Sequence, residues 1–201
     1  MNHSAFEKRF QEWTQWRATA DRSEDGWQTD FPQWDELMEL TTAAMKEPGA
    51  DAGTISMIAE LWDASEETES LLEFARDNLD ECWKVLRSLS SSSLPRCRWQ
   101  VYEVLADAGS RAEPILRQGL FDSDPYARRR ALLALARHRP SDAQQLAEAF
   151  LNDDDPYIRQ AAIEMVLATQ DTSFRRSVLA LLSSDPVEHV RVNARAKLSA
   201  E

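Results

Sequence analysis

Few residues in this chain have the types and spacing that chemistry demands. The three histidines stand at positions 3, 138 and 189, and none forms the helical His pair a metal would need. The run Asp153-Asp154-Asp155 offers oxygen ligands, but hard cations take about six or more oxygens. Asp155 precedes a proline and reads as a helix cap, and its neighbours favour the positive end of the same helix. No Gly-rich phosphate loop and no nucleophile elbow occurs. No catalytic residue, metal or cofactor is therefore expected.

The remaining candidates are contact residues. Arg129 and Arg130 fall off the apolar stripe of their helix, beside Tyr126 and Arg137. They read either as a solvated helix face or as part of a binding surface, where arginine is enriched. The chain holds seven tryptophans. Trp62, Trp83 and Trp99 lie on apolar stripes and are expected in the core. Trp13, Trp16, Trp27 and Trp34 cluster in an acidic region. They read as a cap over an open apolar end, or as an aromatic contact patch of the kind found at binding hot spots. The expected partner-binding residues are Trp16, Trp27, Asp30, Trp34, Asp35, Glu36 and Glu39. A second set is Tyr126, Arg129, Arg130 and Tyr157.

The elements that must position these residues follow from one recurring stretch. In Asp124-Pro125-Tyr126-Ala127-Arg128, Asp124 caps the first turn and Pro125 suits the first helical position, where its missing N–H has no partner anyway. Ala, Leu and Arg then favour continued helix. Asp155-Pro156-Tyr157-Ile158-Arg159 repeats it 31 residues later, and Asp185-Pro186 follows after 30 more. Leu94-Pro95-Arg96-Cys97-Arg98 precedes it without the Asp. A period near 30 with helical content marks an α-solenoid.

The period predicts short helices at 79–89, 111–121, 142–151 and 173–182, and proline-initiated helices at 95–108, 125–139, 156–169 and 187–199. Stacking positions align as Val101, Ala131 and Ala162, as Tyr102, Leu132 and Ile163, and as Leu105, Leu135 and Val166. The aligned arginines Arg98, Arg128, Arg159 and Arg191 read as a ladder between repeats, pairing with an Asp of the next unit. The last copy requires two extra residues between Pro186 and Val190 on this alignment. It places Arg195 at the site of Ile163, as suits a terminal repeat. Upstream, helices are expected at 3–20, from Asp30-Phe31-Pro32 to Met45, at 53–63 and from Ser65. Residues 21–30 form a polar break.

The Asp-Pro start, the apolar-Arg pairs Ala127-Arg128, Ile158-Arg159 and Val190-Arg191, and the Ala/Leu stripe after them resemble HEAT repeats. The likeness is to the short type of phycobilisome-lyase-related proteins and covers residues 79–199. It implies an all-α fold, a right-handed superhelix of helix pairs whose second helices line the concave face. Residues 1–78 are then an acidic, Trp-rich helical region and cap of degenerate repeats. Residues 79–201 are the repeats proper, closed by a capping helix.

Charge narrows the function. Residues 1–90 hold 8 Lys and Arg against 20 Asp and Glu, whereas residues 91–201 hold 15 of each. An acidic half repels phosphates and attracts basic proteins, though acidity also serves solubility. Hydrophobic residues make up 43% and charged residues 29%, as in a globular chain rather than a disordered one. No apolar run reaches membrane-span length. Cys82 and Cys97 read as buried thiols of a reducing cytoplasm. The resemblance implies non-catalytic protein binding, most specifically an inhibitor or immunity protein for a basic toxin or nuclease. Alternatives are an assembly scaffold, a lyase or chaperone subunit, and an alkylpurine DNA glycosylase of the same fold. The glycosylases are basic, unlike this chain, and HEAT hydroxylases carry His-Glu dipeptides that this chain lacks.

Overall fold

A computed structural model describes residues 3–20, 22–23, 26–27, 31–64, 70–167 and 169–200, with backbone alone at 22–23, 26–27 and 140. The described helices are α1 (His3–Thr19), α2 (Trp34–Met45), α3 (Ala52–Ala64), α4 (Ser70–Asp77), α5 (Leu79–Leu89) and α6 (Pro95–Leu105). They continue as α7 (Glu113–Gly119), α8 (Pro125–His138), α9 (Ala143–Phe150), α10 (Pro156–Leu167), α11 (Thr172–Leu182) and α12 (Glu188–Ser199). Single 3₁₀ turns at Gly109–Ala112 and Pro140–Asp142 lead into α7 and α9. Within the expected polar break, β1 (Arg22–Ser23) and β2 (Gly26–Trp27) pair antiparallel. The chain forms two compact units, residues 1–97 and 98–201.

In the first unit, aromatic spacing builds α1. Phe6, Phe10 and Trp13 recur every three or four residues on one face and are buried. Their ring centroids lie 6.5 and 5.5 Å apart in sequence order. Helix α2 buries Leu37, Thr41, Ala44 and Met45 and packs against α1, α3, α4 and α5. It begins at Trp34, later than the expected Asp30-Phe31-Pro32 start. Phe31 is buried instead, and its carbonyl accepts from the Trp34 N–H at 3.0 Å. That bond closes a turn before the helix. Trp62 is fully buried on α3, whereas Trp83 on α5 is only half-buried. Cys82 and Cys97 are buried thiols outside any disulfide, and burial pushes the Cys82 thiol up to about 11.

The second unit is an α-solenoid of stacked helix pairs. Each short helix packs on the longer helix after it, α7 on α8, α9 on α10 and α11 on α12. Helix α10 also packs on both α8 and α12, so the longer helices form a continuous layer. All nine aligned stacking residues from Val101 to Val166 are buried. Each large apolar side chain there contributes about 1.5–3 kcal/mol by leaving water. Helices approach tightly at Gly119, where an added Cβ would lie 2.7 Å from the Ala131 Cβ and 3.0 Å from the Tyr102 ring.

The last repeat is assembled differently from its expected alignment. The N–H groups of Asp124 and Asp155 bond the carboxylates of Asp122 and Asp153, two residues back, at 2.9 and 2.8 Å. In the last copy the Val187 N–H bonds Asp185 in the same way, at 2.8 Å. Asp185 therefore corresponds to Asp153, not to Asp155, and no residues are inserted. Pro186 occupies the place of Asp154, and Val187 takes the cap position without a side-chain cap bond. Arg195, at the site of Ile163, is exposed and donates to the Ser183 carbonyl at 2.9 Å.

Candidate interaction surfaces

The aligned arginines are structural. Arg98 grips Asp122 with two bonds of 2.7 and 2.6 Å, and Arg159 grips Asp185 with two of 2.7 and 2.9 Å. Arg128 approaches Asp153 at 3.7 Å. Each arginine from Arg128 onward also donates back to its own turn: Arg128 to the Asp122 carbonyl at 2.9 Å, Arg159 to that of Asp153 at 2.7 Å and Arg191 to that of Asp185 at 2.5 Å. The fork thus ties one repeat to the next, with the two-pronged geometry that suits guanidinium and carboxylate. The bond from Arg159 holds the Asp185 carboxyl below the usual range. Burial pushes Asp122 up, yet Arg98, the Asp124 N–H and the Tyr102 hydroxyl together leave it lowered. Groups so occupied are not free to meet a partner.

Arg129 and Arg130 depart from the solvated-face reading. Their side chains are only 22% and 31% exposed. Arg129 leans toward Glu164 at 3.9 Å. Arg130 pairs with Glu103 at 3.5 Å and donates to the Tyr126 hydroxyl at 2.6 Å. Its guanidinium lies 5.3 Å from the Trp99 ring centre and 5.0 Å from that of Tyr126. Trp99 meets Tyr126 edge-on at 5.4 Å. One repeat on, Tyr157 is 55% exposed and stacks on His189 at 4.8 Å and 25°. His189 was not among the expected contact residues. The signal was in the sequence, since His189 precedes Val190-Arg191 as Tyr157 precedes Ile158-Arg159.

In the first unit, Asp35, Glu36 and Glu39 are exposed along α2. Glu36 bonds Arg9 at 2.6 Å, and Arg9 also pairs with Glu12. Among the described residues, Asp35 and Glu39 form no ion pair. Trp34 is half-buried beside them. Trp16, also half-buried, packs its ring 5.7 Å from Phe31. The stretch from Trp16 to Glu39 is therefore partly brought together, around Phe31. Asp30 and the side chain of Trp27 lie outside the described residues. A cleft of about 470 Å³ in this unit is lined by Arg17, Ile55, Glu60, Asp63 and Ser91 among others. Burial pushes the Asp63 carboxyl up against the pull of Arg96 and Arg17.

Among the described residues, no group of three or more His, Cys, Asp or Glu is placed to hold a metal ion. No described helix is long and apolar enough to cross a membrane. No curated protein matches the chain. Residues 113–199 match the family model for HEAT repeats. Such repeats commonly serve protein interaction or scaffolding and are generally non-catalytic. The match spans the helix pairs tied by the Arg159–Asp185 fork, and over these residues the chain is similar to HEAT repeats.

Proposed function

We propose that the chain is a cytoplasmic, non-catalytic protein-binding module whose acidic first unit receives a basic partner. Its most specific form is an inhibitor or immunity protein for a basic toxin such as a nuclease. The observation that supports this is the uneven charge. Residues 1–97 carry 20 Asp and Glu against 9 Lys and Arg, while residues 98–201 carry 15 against 14. The exposed carboxylates of Asp35 and Glu39 add to that field without an internal cation. Such a field raises the encounter rate with an oppositely charged protein. It opposes duplex DNA, whose binding needs phosphate neutralisation, and so argues against a glycosylase. The half-buried Trp16 and Trp34 supply the aromatic surface that anchors interfaces.

The test is capture from the source organism, with the retained proteins identified by mass spectrometry. The wild-type chain should retain a basic protein, and Asp35→Lys/Glu36→Lys/Glu39→Lys should lose it while keeping its helical circular dichroism. Retention of an acidic protein, or equal retention by both chains, contradicts the reading.

A further inference from the structure

Tyr126 and Tyr157 hold the same position in consecutive repeats, each directly after the helix-starting proline. Their surroundings differ in one respect. Four residues after Tyr126 stands Arg130, whose guanidinium covers the Tyr126 ring at 5.0 Å. Four residues after Tyr157 stands Ala161, which is buried and carries no charge. One repeat therefore supplies its own cation to the ring, and the next does not.

The Tyr157 ring is otherwise arranged to receive one. His189 stacks on it at 4.8 Å and 25°, fixing the ring while leaving the residue 55% exposed. Asp154 and Glu188 flank the pair in sequence and are exposed. Their carboxylates form no ion pair among the described residues. Asp153 and Asp155 are already engaged, by Arg128 and by the first N–H groups of α10. Arg129, on the preceding long helix, leans toward Glu164. An exposed ring face with unpaired carboxylates close in sequence favours a cation.

We infer that Tyr157 and His189 form a docking site for an arginine side chain of a partner protein, held as Arg130 is held on Tyr126. The site rests on the basic-partner reading above and adds a contact in residues 98–201. Arginine fits better than lysine because its planar guanidinium stacks on an aromatic face.

The experiment titrates the isotope-labelled full chain with a short Gly-Ser peptide carrying arginines, followed by amide and ring NMR shifts. A second peptide replaces arginine with citrulline, which keeps the shape and removes the charge. The arginine peptide should shift Tyr157 and His189. Binding should weaken about two- to fivefold with citrulline or in Tyr157→Leu, on the scale of an exposed cation–π contact. His189→Ala, which removes only the supporting ring, should also weaken it. Absence of shifts at Tyr157 and His189, or equal binding of the citrulline peptide, overturns the assignment. If Tyr157→Leu binds normally while Asp35→Lys/Glu39→Lys does not, the site falls and the basic-partner reading stands.

Discussion

Arg159 and Asp185 meet with side chains only 10% and 3% exposed. A charge left alone at such a site is expensive, and breaking a buried pair costs about 3–5 kcal/mol. Asp185→Ala should lower the unfolding free energy by about that amount in urea titrations, whereas Asp154→Ala, at an exposed neighbour, should cost under about 0.5 kcal/mol. The carboxyl also titrates lower in the folded chain than in the unfolded one. Its contribution is therefore complete above about pH 4, the unfolded value, and is lost as pH falls through the folded one. Asp185→Asn should flatten that acid loss, and an unchanged acid profile would contradict it. The ladder arginines were legible in the sequence because a repeat puts one residue type at one place in every helix. The role of Asp185 was not, because Asp185-Pro186 imitates the Asp-Pro start of the earlier helices. The position of Arg130 was equally hidden. Trp99 stands on the preceding helix of the stack, and only the packing of two helices shows that they meet.

At the scale of elements, the close packing of α7 on α8 depends on Gly119. A methyl there would meet Ala131 Cβ at 2.7 Å, nearer than such atoms approach. Gly119→Ala should destabilise by about 1–3 kcal/mol, as overpacking does, despite the better helix propensity of Ala. Gly49→Ala is the matched control, since nothing lies within 4 Å of its added Cβ. Equal thermal midpoints for the two variants would contradict the packing account. The proline-initiated helices were legible because their start signals and stripes agree: Asp124 does accept the Ala127 N–H, at 2.8 Å. The start of α2 was misplaced because Pro32 looks like a first helical residue. Burial of Phe31 instead holds that proline in the preceding turn. The β1–β2 pairing was not legible, since strands of two residues leave no alternation to read.

At the scale of the whole molecule, charge is divided between the two units as unevenly as the sequence indicates, and burial does not neutralise it. Asp35 and Glu39 stay exposed, and in the second unit Asp122, Asp153 and Asp185 meet arginines in the ladder. The fold of residues 98–201 could be read from periodicity, because stacking demands the same apolar sites in each copy. The contact surface could be read only as residue types, because which carboxylates remain unpaired depends on where each arginine reaches. The central claim is that the acidic unit steers a basic partner. The most direct measurement is the association rate with the captured partner as salt rises, since the Debye length falls from about 10 Å at 0.1 M to about 3 Å at 1 M. The account predicts an association rate falling at least about tenfold over that range, with the dissociation rate changing much less. An association rate that does not respond to salt would contradict it.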